Sequence, residues 1–430
     1  MRFARAALAV VVSFSLAACK KGPEGGAAPA TGSGPAAAAP SGAPASSVTI
    51  GATLPLTGAE SRIGGFYKEG YDLAFEEASK AGGIQLGGKK VPVKLILLDD
   101  TTSQATAASL ADRLIHQDGA QFLLGTYSSH LVEAQSVVAE QNGTPYVNGG
   151  GGATRIYQRG FKNLFGLMAP VESLAEAQMQ WIDEQQKAGK LPKPSSIALL
   201  WENTAHGSDF RNGVQQFVKA HAADYRIAVD ESFELNGRDF GALLGKVKAA
   251  GTDLFLADAH LPDYITLQRQ YVTAGLCHKV QSYGARGSEK QAAEALGAQN
   301  VRYVLSAVWW NHQLGSKGLN KEFIDAFKAK YAGRLPEWYQ ALAYETARSL
   351  LKAIEQAGTL DKDAVRAKLA SMQADSILPG GKLTFEKAHG QQAQYAFVVQ
   401  QNQPDGSSPI VWPKDVAGSP GVAPNPACPK

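Results

Sequence analysis

Short apolar runs alternate with amphipathic stretches along most of the chain. The first two runs begin at Val48 and Val91 and are rich in Val, Ile and Leu, which is typical of buried strands. Between them, apolar residues recur at spacings of three and four over residues 66–81, and a glycine pair follows. This order predicts a βαβ unit with parallel strands and a right-handed crossover. The turn at 55–58 then lies at the carboxyl end of a strand, where open α/β sheets bind ligands.

The same alternation continues in two series. The first ends with a strand over 164–170, and the second begins after a helix over 173–187. Two such series predict two doubly wound sheets. Three further helices follow, and then a hairpin is expected from strands at 382–385 and 393–401. Because these late elements have to join lobes that have already started, we expect the chain to cross between lobes more than once.

The first 47 residues differ from the rest. Arg2 and Arg5 precede a short apolar run that ends in Leu16-Ala-Ala-Cys19, the pattern of a signal peptide with a lipoprotein box. We therefore predict a signal peptide over 1–18 and lipidation of Cys19. The segment 19–47 is almost all Gly, Ala, Pro and Ser after its first residues, which predicts a flexible tether. The apolar run is too short to span a bilayer, so we expect an exported, extracytoplasmic protein held to a membrane by its lipid alone.

Charge and cysteine content exclude several functions. The net charge is +3 with acids and bases interspersed, so the electrostatic signature of nucleic-acid binding is missing. Beyond Cys19 only Cys277 and Cys428 remain, without metal-ligand spacing. These two cysteines could pair in an oxidising compartment and attach the C-terminal tail to the body. The Pro-rich composition of the tail favours two unpaired cysteines instead.

No catalytic constellation is visible in the sequence. The eight histidines are scattered, and neither a zinc-protease motif nor a nucleophile elbow is present. The glycines at 83 and 88 resemble a phosphate-binding loop, but Lys90 stands where Ser or Thr is required and a strand follows. We expect a turn there, and no enzyme activity, cofactor or metal in the protein.

Two segments could hold a ligand. Ser128-Ser129 follow a strand and precede a helix that begins near His130, and free amides at a helix N-terminus favour an anion such as a carboxylate. The glycine run over 149–152 permits close backbone approach. The alternatives are a purely structural helix cap and a merely flexible loop.

The order of these segments resembles type I periplasmic binding proteins of the leucine/isoleucine/valine-binding family. The resemblance covers nearly the whole body and includes, after the opening unit, Leu98-Asp-Asp100, Leu124-Gly-Thr-Tyr-Ser-Ser129, Arg159-Gly-Phe161, Pro336-Glu-Trp-Tyr-Gln-Ala-Leu-Ala-Tyr344, Val398-Val-Gln400 and Val411-Trp-Pro413. It implies an α/β fold of two doubly wound, Rossmann-like lobes. A three-crossing hinge would join them near Gly166–Pro170, Ser306–Trp309 and Leu378–Gly381.

The resemblance also implies domain bounds. One lobe would comprise residues 48–168 and 308–378, and the other residues 169–307 and 379–416. Residues 417–430 would form a disordered tail.

From the first lobe, the resemblance implies ligand contacts at Ser129, which matches the carboxylate-binding serine of the family. The glycine loop would add backbone contacts at Gly150, Gly151 and Gly152. Ile63 stands where the family has a ligand-facing tyrosine.

From the second lobe, His206 and His260 stand where the family has ligand-facing tyrosines. The acid that pairs with the ligand's amino group would fall near Gly284, where this chain has Arg286 close by and no carboxylate. The acids that could replace it are Asp258 and Glu202. The ligand is therefore either an amino acid or a small carboxylate without an amino group.

The function implied is a solute-binding lipoprotein of an ABC importer. It would capture a small carboxylate between its lobes and deliver it to a membrane permease with its ATPases, and we expect a monomer. The alternatives are a sensory receptor of the same fold and, more remotely, an enzyme. The sequence leaves the identity of the ligand open.

Overall fold

The structure is a computed structural model, and it describes residues 47–315 and 317–428. The predicted signal peptide, Cys19 and nearly all of the predicted tether lie outside the described residues. Within those described ranges, no helix is both long enough and apolar enough to cross a membrane.

The first part of the chain builds a five-stranded parallel sheet. Its strand order is β4-β1-β5-β6-β7, with helices between the strands. The elements in chain order are β1 (Val48–Leu54), α1 (Ser61–Lys80), β2 (Ile84–Leu86), β3 (Lys89–Val91), β4 (Val93–Asp99), α2 (Gln104–His116), β5 (Phe122–Leu124), α3 (Ser129–Gln141), β6 (Tyr146–Asn148) and β7 (Leu164–Gly166). Strands β2 and β3 form a small hairpin, so Gly88 lies in a turn as predicted, whereas residues 84–86 of the predicted turn form a strand.

The second part builds a seven-stranded sheet in the order β16-β15-β12-β11-β10-β8-β9. Its first five strands in chain order, which include one edge of the sheet, are parallel, and the last two extend the other edge with antiparallel pairing. The elements are α4 (Val171–Lys187), β8 (Ser195–Glu202), α5 (Ala205–Ala220), β9 (Tyr225–Phe233), α6 (Gly241–Ala250), β10 (Leu254–Asp258), α7 (Leu261–Thr273), β11 (Val280–Tyr283), α8 (Lys290–Leu296) and β12 (Val304–Val308).

The late helices return to the first sheet. They are α9 (Gly318–Lys330), α10 (Trp338–Ala357) and α11 (Lys362–Ala370), followed by β13 (Gln373–Asp375), β14 (Lys382–Thr384), β15 (Val398–Gln401) and β16 (Ile410–Trp412). Helix α10 packs so closely on α1 that a β-carbon on Gly70 would overlap the backbone of Gln340. The predicted pair of doubly wound units with exchanged segments is therefore confirmed, while the proposed lobe bounds stay a prediction.

One predicted hairpin is wrong. Strand β14 pairs with β13, whereas β15 pairs with β12 and β16. The segment Leu378–Gly381, predicted as the third crossing, lies in the turn between β13 and β14. The chain instead passes β7, where Gly166 and Gln392 form a bridge, before it enters the second sheet at β15. The hydrophobic pattern marked these strands but could not identify their partners.

The C-terminal tail is attached to the body. Cys277 and Cys428 form a disulfide, so the expectation of two unpaired cysteines is wrong. The backbone N–H of Val422 donates to Gln401 Oε1 at 2.7 Å, and that of Asn425 donates to the Lys279 carbonyl at 2.8 Å. The structure thus differs from the predicted disorder over 417–428. A composition rich in Gly, Ala and Pro does not reveal hydrogen-bond partners that lie far away in the chain.

Candidate functional site

Buried side chains from both sheets form a closed ring at the carboxyl ends of the strands. We call this set the side-chain ring, and its members in order around it are Tyr127, His260, His206, Trp309, Trp338 and Arg286. Successive members lie between 4.9 and 6.4 Å apart, measured between ring centroids or from the arginine Cζ. None is more than 7% exposed. The ring is therefore enclosed and contacts both halves of the fold.

Strand ends position most of this ring. Tyr127 follows β5, Arg286 follows β11 and Trp309 directly follows β12. His206 lies in the first turn of α5 after β8, and His260 is the residue before α7 after β10. The carboxyl ends of parallel strands lie along one edge of a sheet, which brings these residues together although they are distant in sequence.

Arg286 is a buried cation with unused hydrogen-bonding capacity. It donates one hydrogen bond to the hydroxyl of Tyr127, and its Nε lies 3.4 Å from Glu289 Oε1. Its Nε and Nη1 have no hydrogen-bond partner among the described residues. Burial raises the pKa of Glu289 to about 8, although Arg286 opposes this shift. At neutral pH Glu289 is mostly protonated, so Arg286 lacks a full counter-charge.

Each histidine of the ring is held by a carboxylate. His206 Nδ1 lies 2.7 Å from Asp258 Oδ2, and His260 Nδ1 lies 2.6 Å from Glu202 Oε2. Burial alone would lower the pKa of His260, but Glu202 outweighs it and raises that pKa to about 9. The Nε2 atom of His206 is buried and has no partner in the part of the chain that the structure describes.

The missing family acid has a counterpart in Asp258. Gly284 has a positive φ of 39°, and a β-carbon at this position would overlap the Asp258 carboxylate. Asp258 therefore occupies the space of a side chain at 284. Its Oδ2 already pairs with His206, so an ammonium group would have to share this carboxylate with the imidazole.

Ser129 and the glycine loop lie beside the ring. Ser129 Oγ accepts hydrogen bonds from the N–H groups of Gly152 at 3.2 Å and Ala153 at 3.3 Å. A β-carbon on Gly152 would stand 3.5 Å from Trp309, so this loop reaches the ring. Ser129 thus fixes the loop, and its own hydroxyl proton has no acceptor within the described ranges.

The remaining loop glycines are packed rather than flexible. The carbonyl of Gly151 accepts a hydrogen bond of 2.6 Å from the Tyr157 hydroxyl, and Gln392 donates to the carbonyl of Gly152 at 3.0 Å. Gly150 makes no hydrogen bond with any residue that the structure describes. A side chain at Gly150 would overlap the Thr126 carbonyl, so only glycine fits.

The structure brings together most, but not all, of the predicted site residues. His206, His260 and Arg286 belong to the ring, with Ser129 and the glycines at its side. Ile63 is not a member of the ring; it lies in the first turn of α1, in the hydrophobic cluster that also contains Tyr127, Trp309 and Trp338.

Three ring members were missed from the sequence. They are Tyr127, Trp309 and Trp338. Apolar aromatic residues next to strands and helices are indistinguishable from core positions by hydrophobic pattern. The available signal was position, because Trp309 directly follows β12 and Tyr127 lies three residues after β5.

Glu202, His206 and Asp258 also have the composition of a metal site, with ligand atoms within 4.8 Å of one another. Both carboxylates, however, already accept hydrogen bonds from histidines. The geometry therefore fits two histidine–carboxylate pairs, in which each carboxylate orients an imidazole ring, rather than a metal site.

Comparison with known proteins decides the family. The family model described as periplasmic binding protein matches residues 47–407. The chain belongs to the periplasmic binding protein family. Leu/Ile/Val-binding protein homolog 8 of Brucella abortus (strain 2308) is 24% identical to this periplasmic binding protein over 376 residues, covering 86% of this chain and 91% of that protein. The predicted type I, leucine/isoleucine/valine-binding family is thereby confirmed.

Two solved structures show the same fold. The branched-chain amino acid transporter substrate binding protein LivJ from Streptococcus pneumoniae, in complex with isoleucine, has a TM-score of 0.72 and 18% identity, covering 84% of this periplasmic binding protein and 97% of that chain. An ABC transporter solute binding protein from R. palustris, in complex with benzoate, has a TM-score of 0.69 and 19% identity, covering 88% and 98%. Both are named as substrate- or solute-binding proteins, and the matching family model likewise describes a binding protein, in agreement with the prediction of a protein that is not an enzyme.

Proposed function

We propose that this periplasmic binding protein is the lipid-anchored solute-binding component of an ABC importer and that it binds a small organic carboxylate at the side-chain ring. The bound solute would be handed to a membrane permease driven by ATPases. The observation that carries the proposal is Arg286, a buried guanidinium with two unpartnered nitrogens.

A ligand carboxylate would supply Arg286 with a counter-charge and with acceptors for its unpartnered Nε and Nη1. Leaving a charge buried without a partner is costly, whereas a guanidinium and a carboxylate form a strong, geometrically defined pair. The neighbouring Glu289 competes poorly, since burial raises its pKa to about 8. The Ser129 hydroxyl would add a further donor beside the ring.

The aromatic side chains of the ring favour a ligand that has a flat, apolar part. Tyr127, Trp309 and Trp338 present aromatic faces, and such faces stack on planar groups. The benzoate bound by the R. palustris protein has this chemistry. We therefore propose a carboxylate without an α-amino group as the first ligand candidate.

An aliphatic amino acid is the second candidate. The S. pneumoniae protein binds isoleucine, and Asp258 lies where the family acid would reach. An ammonium group would have to share this carboxylate with His206, which places this candidate behind the first.

Calorimetry on the purified protein separates these candidates. Benzoate should bind, leucine should bind at least tenfold more weakly, and benzylamine, which keeps the ring but carries a cation, should not bind. Tight binding of leucine without binding of benzoate would establish the amino-acid candidate. Binding of benzylamine at the affinity of benzoate would contradict the carboxylate proposal.

The anchor is tested separately at Cys19. Cys19→Ala should move the protein from the membrane fraction to the soluble fraction, because the lipid is its only proposed attachment. Lys20→Ala keeps the lipoprotein box and serves as the control. Membrane association of Cys19→Ala equal to that of the control would exclude the lipid anchor.

A further inference from the structure

Asp209 of α5 binds the end of the glycine loop across the boundary between the two halves of the fold. Its Oδ2 accepts a hydrogen bond of 2.7 Å from the backbone N–H of Thr154, which follows the glycine loop between β6 and β7. The N–H groups of Gly152 and Ala153, just before it, donate to Ser129 in the first half. Three successive amides at the end of the loop are therefore held by both halves.

A second carboxylate contacts the same residue. Glu172, in the first turn of α4, accepts a hydrogen bond of 2.7 Å from the Thr154 hydroxyl. Helices α4 and α5 pack so closely that a β-carbon on Gly213 would overlap the Glu172 carbonyl. Gly213 lies one helical turn from Asp209 on the same face of α5. Both carboxylates therefore lie side by side in the second half, whereas Thr154 belongs to the first.

The contact between Thr154 and Asp209 has to break when a solute enters. No member of the side-chain ring is more than 7% exposed, so a solute reaches the ring only if the two halves move apart. Their separation removes Thr154 from Asp209 and admits water to this carboxyl group, which is buried in the enclosed form. The surroundings of Asp209 therefore change each time the site opens or closes.

The enclosed form favours the protonated state of Asp209. The charged and titratable groups that act on it most strongly are Glu172 from α4, Arg155 from the segment after the glycine loop and His206 from its own helix. Burial, reinforced by Glu172, raises the pKa of Asp209 to about 6, although the Thr154 N–H and the two basic side chains oppose this shift. Once water reaches the carboxyl group, its pKa falls toward the ordinary value of about 3.9.

We propose that Asp209 is a positioning residue of the solute site, which joins the glycine loop to the second half as the two halves close and binds a proton in that step. Because the enclosed form binds the proton more tightly than the separated form, the affinity for a solute should rise as the pH falls from 7 to 5. This inference rests on the proposed function, since closure around a bound solute drives the change.

The test is the affinity for benzoate at pH 5 and pH 7, measured by calorimetry. In the wild type the affinity should rise about five- to tenfold from pH 7 to pH 5. Asp209→Asn resembles the protonated acid in shape and charge and can still accept the Thr154 N–H. This variant should bind benzoate at pH 7 at least as tightly as the wild type, and its ratio of the two affinities should be at least threefold smaller. The comparison between variants cancels the ionisation of benzoate itself.

Two further variants separate positioning from titration. Asp209→Ala cannot accept the Thr154 N–H and should bind benzoate at least threefold more weakly than Asp209→Asn at both pH values. Asp263→Asn is the matched control. Burial also raises the pKa of Asp263 to about 6, but its hydrogen-bond partner, the N–H of Asn236, belongs to the same half. This control should keep the pH dependence of the wild type.

Three results would overturn the inference. They are equal affinity ratios in the wild type and Asp209→Asn, equal affinities of Asp209→Asn and Asp209→Ala at pH 7, and loss of the pH dependence in Asp263→Asn. Failure of every carboxylate to bind would instead overturn the proposed function.

Discussion

The absence of a side chain on Gly284 makes room for the Asp258 carboxylate, because a β-carbon on Gly284 would overlap this carboxylate. The two residues lie at the ends of neighbouring strands β11 and β10. Asp258, one of the two acids predicted to replace the family acid near Gly284, therefore lies beside Gly284 on an adjacent strand and is paired with His206.

Gly284→Ala should destabilise the protein more than the replacement of a positive-φ glycine with open space around it. The added methyl group displaces Asp258 from His206, in addition to the strain of a positive φ. We expect a loss of about 2–4 kcal/mol in the free energy of unfolding, measured by urea denaturation.

Gly275→Ala is the matched control for that variant. Gly275 also has a positive φ, 67°, but a β-carbon there meets nothing within 4 Å. Its cost should be limited to about 1 kcal/mol of backbone strain. Equal losses in the two variants would contradict the proposed overlap with Asp258.

The disulfide between Cys277 and Cys428 should stabilise the body. It closes a sequence separation of 151 residues and holds the tail against the second sheet. Cys428→Ser should lower the free energy of unfolding by about 2–4 kcal/mol. Thermal unfolding with and without reductant measures this loss. A melting temperature of the wild type that does not respond to reductant would show that the bond does not stabilise the body.

Binding of a carboxylate should weaken as the pH rises through about 8. Below this value Glu289 is mostly protonated and leaves Arg286 to the ligand. Above it, ionised Glu289 becomes a competing counter-ion. The affinity for benzoate should fall by up to about tenfold between pH 7 and pH 9, measured by calorimetry. Glu289→Gln should reduce this dependence but not remove it, because His260 in the same ring has a pKa of about 9 and also loses its positive charge over this range. An equal fall in that variant would exclude Glu289 as a cause.

The sequence predicts the fold better than the site. Strand and helix periodicity locates nearly every element, and strand ends locate Ser129 and the glycine loop. The site also depends on pairs such as His206 with Asp258, which are 52 residues apart. Their contact is created by the strand order, which local patterns do not encode.

Aromatic residues show the same limit. Trp309 and Trp338 contact each other only because α10 returns to the first sheet after β12 has ended in the second. In the sequence each has the pattern of a core residue. Cys277 and Cys428 show this limit as well. The composition of the tail favours unpaired cysteines, whereas their contact exists only in the folded chain.

The proposal that Arg286 binds a ligand carboxylate is tested most directly by the benzoate affinity of Arg286→Lys, measured by calorimetry beside the wild type. Lysine keeps the charge but loses the planar fork of donors that the unpartnered Nε and Nη1 provide. We expect at least tenfold weaker binding in Arg286→Lys, whereas Arg302→Lys, a change at an exposed arginine, should leave the affinity unchanged. Equal affinities in Arg286→Lys and the wild type would contradict the claim that Arg286 is the counter-ion of a bound carboxylate.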